Sequence, residues 1–352
     1  MTNFNFDKEK TKSLLMGLAA GDCLGITSEF FKDGSIKMLY EQNKGRGWPF
    51  RPSGRPQWHM KPGEHSDDTD MAWAIVKSAY KKNKVDPNDI ADNFVKWLYT
   101  NPKDIGNNTY KVLSKIKAGN HWHKVSYSVW NNNRQSAANG SLMRNGVVCG
   151  FTDDIYEMLD YAFIQGIITH YGPLPVMCCA IQTWMIYHLM NGKNPLDMAW
   201  IDLFFEDFET WYRTCKNPWA KIWLSGVGKT ALEEAERTIR EAEWDRNKFN
   251  PFTYNIGSSG GYCLLTLQIA VWALGWSLEI KEEFESPDPV YNNIFNRRGP
   301  YALGWIPLIG YDADTYAATA GPMFAAAFGG VPNIMKENLQ IEEWYDKLTS
   351  EE

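Results

Sequence analysis

Apolar residues recur at helical spacing along almost the whole chain, and alternating runs of strand length are hard to find. That pattern restricts the fold to the all-α class. Met71, Ala72, Ile75, Val76 and Ala79 fall at i, i+1, i+4, i+5 and i+8, and Ile90, Phe94, Val95 and Leu98 form a similar face. Stretches 14–31, 155–168, 176–190, 203–212, 263–276 and 317–328 continue the pattern. Stretch 231–244 is charged, with Glu233–Arg237 and Glu236–Arg240 pairs at i, i+4, and predicts a surface helix. No heptad series, low-complexity run or internal repeat is visible. The 352 residues therefore predict a single compact orthogonal helical domain, with a core over 12–332 and an extension on either side. Four long segments read as loops: 43–64, 121–140, 245–261 and 285–310. Each leads into a helix start, where anions and metals are commonly held.

Several classes of function fall away. The 36 Lys and Arg against 42 Asp and Glu leave a formal charge of -6, which argues against a general nucleic-acid binder. Six cysteines without a CxxC suggest neither a disulfide framework nor a zinc site. Residues 1–12 are polar and lack the apolar core of a signal peptide, so a cytoplasmic protein is expected. Stretch 171–192 carries no formal charge, but Pro173, Pro175, Gln182, Thr183, His188 and Asn191 favour a buried helix over a membrane span. The 16 tryptophans need a large core or a surface for a flat ligand. Trp73, Trp97, Trp184, Trp272 and Trp276 lie in apolar helices and read as core. Trp48, Trp58, Trp122, Trp130 and Trp305 lie in loops and are expected to shape a cleft rim or meet a partner.

Chemistry concentrates in three places. Ser66-Asp67-Asp68-Thr69-Asp70 opens the helix at Met71. One aspartate there is a helix cap, but three carboxylates in four residues repel one another beyond what capping needs. A hard cation with oxygen ligands would resolve the conflict. Gly310-Tyr311-Asp312-Ala313-Asp314-Thr315 repeats the arrangement before Ala317, Ala318, Thr319, Ala320 and Gly321, small residues that let a helix approach its neighbours closely. Taken together, the clusters suit one or two metal ions about 3.5–4 Å apart. The oxygen-only ligand set favours Mg²⁺ or Mn²⁺ over Zn²⁺. The third place is Ser136–Arg144, small residues ending in a fixed positive charge, which suits a phosphate or diphosphate or is simply a polar loop.

These elements together resemble the ADP-ribosylglycohydrolase family, which includes dinitrogenase-reductase-activating enzymes and ADP-ribosylarginine hydrolases. The resemblance rests on Met16-Gly17-Leu18-Ala19-Ala20-Gly21-Asp22-Cys23-Leu24-Gly25 with Glu29, then Ser66-Asp67-Asp68-Thr69. It continues through Asn139-Gly140-Ser141-Leu142-Met143-Arg144, Thr169-His170, Gly261-Tyr262, and Gly310 to Thr315 with Gly321. These pieces stand in the family's order across nearly the whole chain. The resemblance implies an all-α fold and two Mg²⁺ (or Mn²⁺) ions held by Ser66, Asp67, Asp68, Asp312, Asp314 and Thr315. The family usually has threonine where this chain has Ser66, which keeps the hydroxyl. It implies hydrolysis of the N-glycosidic bond of ADP-ribosylated side chains, above all ADP-ribosylarginine in protein. Asp68 or Asp314 would act as general base, with Glu29 beside the metals positioning substrate or water. Asn139, Gly140, Ser141, Met143, His170 and Tyr262 would bind the ADP-ribosyl group.

Two segments depart from the family pattern. Segment 45–62 holds Arg46, Trp48, Phe50, Arg51, Arg55, Trp58, His59 and Lys61 without an acid, and is expected to meet the ADP-ribosyl group or the modified protein, or to be a solvated loop. Segment 282–307 is long and aromatic and is expected to reshape the cleft entrance. Two other functions fit the same core. One is an ADP-ribose-binding, antitoxin-like protein that blocks an ADP-ribosyltransferase. The other is a hydrolase of ADP-ribosylserine or of a small ADP-ribosyl metabolite.

Overall fold

The structure is a computed structural model that describes residues 4–197, 199–279, 284 and 288–350. Its long elements are helices: α1 (Lys8–Gly25), α2 (Asp33–Asn43), α3 (Asp67–Lys82), α4 (Pro87–Leu98), α5 (Asn107–Lys117), α6 (Trp122–Asn132), α7 (Ile155–Ile167) and α8 (Pro173–Met190). There follow α9 (Trp200–Thr214), α10 (Pro218–Val227), α11 (Lys229–Glu241), α12 (Cys263–Leu278), α13 (Asn292–Phe295), α14 (Ala313–Phe328) and α15 (Ile341–Ser350). Strand-like pairing among the described residues is confined to two isolated bridges, Arg55–Met60 and Ala138–Tyr262. The all-α expectation holds. No helix among the described residues is long and apolar enough to cross a membrane.

The chain divides into two compact units. The first comprises Met1–Thr11, Asp70–Ala242 and Tyr262–Leu264. Its central element is α8, the uncharged stretch of the sequence, which packs against α7 and α11. Val176, Cys178, Cys179, Ile181, Trp184, Met185 and Ile186 are buried on all sides of it. A helix apolar all round belongs inside a core. Two of its polar residues are matched: Asn145 Nδ2 donates to Gln182 Oε1 and Thr183 Oγ1, each at 2.9 Å. Two helix starts in this unit illustrate side-chain capping. Asp86 accepts from Asn88 and Asp89 N–H with Pro87 at the first helical position, and Asp154 accepts from Tyr156 N (2.8 Å) and Glu157 N (3.0 Å). Asp154→Ala is expected to lower stability by about 1 kcal/mol, read as a shift of the urea midpoint at unchanged slope.

The second unit comprises Lys12–Thr69, Glu243–Gly261 and Leu265–Glu352. Here α1 and α14 cross in backbone contact, because glycines of α1 stand at the crossing. A Cβ on Gly17 would lie 2.5 Å from Gly321 O, and one on Gly21 would lie 2.0 Å from Ala317 O. The 3₁₀ segment Gly299–Ile309 packs on α14. Tyr316 is buried and its hydroxyl donates to Gly260 O at 3.0 Å, tying the turn at Gly257–Ser259 to the same helix.

Four expectations need correction. Segment 121–140 is largely helix α6, whose Trp122, Val125, Ser126 and Trp130 form one buried face in an otherwise polar stretch. Segment 285–310 contains α13 and the 3₁₀ segment Gly299–Ile309. Residues 280–283 and 285–287 lie outside the described residues, so the expectation that 282–307 shapes an entrance falls partly on them. Of the loop tryptophans Trp48, Trp122 and Trp305 are core; Trp130 is buried but lines a cleft with His170, and Trp58 is half-exposed. Burial is tolerated where the indole N–H finds an acceptor. Trp48 Nε1 donates to Leu24 O (3.2 Å), Trp122 Nε1 to Asn88 Oδ1 (2.9 Å) and Trp305 Nε1 to Arg297 O (3.1 Å). Trp73, expected in the core, is half-buried.

Candidate functional site

The second unit brings the two aspartate clusters together. Carboxylate oxygens of Asp68 and Asp314 lie within 4.8 Å of each other and of Asp22, and those of Glu29, Asp312 and Asp314 form a second such group. Asp314 belongs to both. The carriers are the C-terminal part of α1 with the turn after it, the N-terminus of α3 and the N-terminus of α14. The turn before α14 is held by reciprocal backbone bonds: Phe30 N donates to Tyr311 O (2.5 Å) and Tyr311 N to Phe31 O (2.8 Å). Phe30 and Tyr311 both take positive φ, at 60° and 56°, conformations that cost energy for large side chains and that here flank Glu29 and Asp312.

Asp22 is absent from the ligand set expected from sequence, and the structure gives it a specific part. It is fully buried in an apolar helix, yet it accepts from Ser66 N (3.1 Å), Thr69 N (3.1 Å) and Thr69 Oγ1 (2.5 Å). It thus caps the N-terminus of α3 from another helix. Although its oxygens are near enough to Asp68 and Asp314 to share an ion, these donors occupy them, and we read Asp22 as a brace for the Ser66–Thr69 turn rather than as a ligand. A lone carboxylate between Gly21 and Cys23 in an apolar run is the signal that sequence offers for it.

The remaining groups fit a hard cation. Burial, then the charges of Asp314, Asp22, Asp67 and Asp312, hold the Asp68 carboxyl well above the usual carboxylate range. Ser66 Oγ donates to Asp68 Oδ2 at 2.8 Å, while Asp68 Oδ1 is buried with no hydrogen-bond partner. A buried carboxylate oxygen without a donor, set beside other carboxylates, gains from a bound cation. Asp314 Oδ1 accepts from Thr315 N at 2.8 Å. Asp67 and Thr315 are buried beside these groups, and Asp312 is half-buried. Asp70 serves structure instead, accepting from Trp97 Nε1 at 2.8 Å.

Segment 45–62 also acquires a concrete role. Arg55 is buried, pairs with Glu29 Oε2 at 3.4 Å, and lies over the rings of Trp58 (3.7 Å), Phe30 (5.6 Å) and Phe31 (5.8 Å). The guanidinium, stacked on aromatic faces, gives the buried Glu29 carboxylate a counter-charge. The segment is therefore not a plain solvated loop.

The first unit holds the other residues of interest. Asn139 O accepts from Leu142 N (2.7 Å) and Met143 N (3.1 Å), forming a tight turn with Ser141 buried beneath it. The bridge from Ala138 to Tyr262 brings Tyr262 beside this turn. His170 is buried next to Gly140, where a Cβ would lie 3.0 Å from its Cε1. Arg144 is the exception: it is fully buried and donates to Gln165 Oε1 (2.9 Å), Gln165 O (3.0 Å) and Thr169 Oγ1 (2.8 Å). It anchors the turn from beneath, and it is not an exposed charge for an anion.

Comparison with known proteins points to one family. The family model described as ADP-ribosylglycohydrolase matches residues 5–351. An ADP-ribosyl-[dinitrogen reductase] glycohydrolase of Rhodospirillum rubrum is 28% identical over 53% of this chain and 60% of its own length, less than two thirds of that relative. An ADP-ribosylarginine hydrolase Tri1 of Serratia proteamaculans (strain 568) is 25% identical over 98% of this chain and 76% of its own length. A solved structure described as an ADP-ribosylglycohydrolase-related protein complex has a TM-score of 0.62 at 19% identity, covering 97% of this chain and 95% of that one, a likeness of fold.

Proposed function

This chain belongs to the ADP-ribosylglycohydrolase family, and from that premise we propose that it hydrolyses the N-glycosidic bond between ADP-ribose and an arginine side chain of a modified protein. The observation that carries the proposal is the buried carboxylate cluster with its orphaned Asp68 Oδ1. Ser66, Asp67, Asp68, Asp312, Asp314 and Thr315 would hold two Mg²⁺ (or Mn²⁺) ions. When bound, such ions supply Lewis-acid stabilisation of developing negative charge.

The chain's own residues do the rest. A carboxylate at Asp68 or Asp314 accepts the proton of the attacking water as its oxygen bonds to the anomeric carbon. The C–N bond breaks with its electron pair going to the guanidinium, which departs as neutral guanidine and takes up the proton held by the carboxylate, so that both groups return to their starting charge. Glu29, paired with Arg55, orients water or substrate. Asn139, Gly140, Ser141, Met143, His170 and Tyr262 hold the ADP-ribosyl group.

The test is a side-by-side panel of an arginine-modified protein, a serine-modified protein and a small ADP-ribosyl metabolite, with free ADP-ribose measured. Release from the arginine linkage is expected, lost in excess chelator and restored by Mg²⁺. Release that survives chelation would refute the cation requirement. Preference for serine or the metabolite would refute the substrate.

A further inference from the structure

We propose that Arg144 and Thr169 set the tautomer of His170, so that the ring presents Nε2–H as a fixed donor to an acceptor oxygen of the ADP-ribosyl group. The identity of that ligand rests on the function proposed above. The tautomer does not.

The inference follows from donor and acceptor chemistry. Gln165 Nε2 donates to Ser141 O and Asn145 Oδ1, each at 3.0 Å, which leaves its Oε1 as the acceptor for Arg144 Nε at 2.9 Å. The guanidinium is thereby fixed, with its face over the Phe94 ring at 4.4 Å. A guanidinium only donates, so Thr169 Oγ1 accepts from Arg144 Nη2 at 2.8 Å. The hydroxyl then has one proton to give, and His170 Nδ1 stands 2.8 Å away. If Thr169 donates to Nδ1, the ring proton resides on Nε2. The opposite tautomer would direct two donors at one hydroxyl oxygen and leave the hydroxyl proton without an acceptor in a buried site. The imidazolium would share that fault and add a like charge near Arg144. Consistent with this, burial and then Arg144 push the His170 pKa down to about 3, so the ring stays neutral where histidine ordinarily titrates.

The other end of the ring points to a ligand. His170 Nε2 is buried and has no hydrogen-bond partner in the protein. It lies across Gly140, where a Cβ would come within 3.3 Å of it. The ring lines a cleft with Asn108, Trp130, Ser136, Tyr171 and Pro175, and Trp130 Nε1 is a second buried donor there without a partner. Buried donors without acceptors are costly in the free protein and gain on binding a phosphate or hydroxyl oxygen. Thr169 and Arg144 are positioning residues: they act through His170.

Nitrogen chemical shifts of protein labelled in its six histidines report the tautomer directly, with His170 assigned from a His170→Gln variant. The wild-type ring is expected to show a protonated Nε2 and a bare Nδ1, unchanged from about pH 6 to about pH 8. Thr169→Val should shift the ring toward Nδ1–H and weaken ADP-ribose binding roughly tenfold, and Thr169→Ser should restore both. The relay is overturned by an Nδ1–H or titrating ring in the wild type, a reading that needs no variant to fold. It is also overturned if Thr169→Val leaves ring and affinity unchanged, or if Thr169→Ser behaves like the valine variant. Failure of the wild type to bind ADP-ribose while its ring is Nε2–H would refute the proposed function and leave the relay standing.

Discussion

Asp68→Asn is expected to slow ADP-ribose release by about a thousandfold or more, while making the cation-free protein more stable than the wild type. The two effects share one cause. Asp68 is buried among Asp314, Asp22, Asp67 and Asp312, and burial and these charges raise its pKa well above the ordinary value. For an acid whose folded pKa is raised, the associated stability is fully present below the unfolded pKa, about 3.9, and is lost as pH rises through the folded value. Asp22 is shifted the same way by burial, partly offset by His65, Thr69 and Ser66. Cation-free wild type should therefore lose stability as pH rises from about 4 toward neutrality. The substituted amide cannot ionise, so the variant should lose less. A divalent cation reverses the trend in the wild type, because it binds the folded state alone and adds about 2.7 kcal/mol at a hundredfold excess over its Kd. Thermal unfolding of both proteins across pH, in chelator and in Mg²⁺, gives the comparison. A variant with wild-type activity, or one stabilised by Mg²⁺ as strongly as the wild type, would contradict the assignment of Asp68 as a ligand.

The carboxylate cluster is legible in the sequence because it violates local economy: adjacent acids at two helix starts need more than a cap to explain them. Asp22 is harder to read, since a single acid inside an apolar helix gives no hint of its partners until α3 is folded against it. Arg144 misleads for the opposite reason. A positive charge after a run of small residues looks like an anion site, and only the positions of Gln165 and Thr169 reveal that its donors point inward. Helix α6 is hidden because its buried face, though helically spaced, is interleaved with His123, Lys124, Asn131 and Asn132, so composition outweighs periodicity. The loop tryptophans look peripheral in sequence because nothing local points to distant acceptors such as Leu24 O and Arg297 O. Long-range hydrogen-bond partners decide Asp22, Arg144 and these indoles alike, and local propensity does not.

Gly21→Ala should destabilise the protein by about 3 kcal/mol or more, against the trend of helix propensity. In an exposed helix this change stabilises. Gly34 in α2 is such a position, with nothing within 4 Å of its missing Cβ, and Gly34→Ala is expected to gain about 0.5–1 kcal/mol. At Gly21 the new Cβ would lie 2.0 Å from Ala317 O and 2.4 Å from Ala317 C. Those are backbone atoms of α14, so no side chain can turn aside and the helices must part. Gly17, Gly21 and Gly25 recur every fourth residue, and each meets the α14 backbone, at Gly321, Ala317 and Ala313 respectively. The crossing therefore closes along a whole ridge. Asp22 follows directly on Gly21 and braces the Ser66–Thr69 turn, and Asp312 and Asp314 flank Ala313, so separating the helices also moves that turn, with Asp67 and Asp68, away from Asp312 and Asp314. Affinity for Mg²⁺ should fall in Gly21→Ala even where the protein remains folded, measured by calorimetric titration below its unfolding midpoint. Unchanged cation affinity in a folded but destabilised variant would show that the close crossing serves packing alone and that the spacing of the carboxylates is set by the turns at Ser66–Thr69 and Gly310–Asp312.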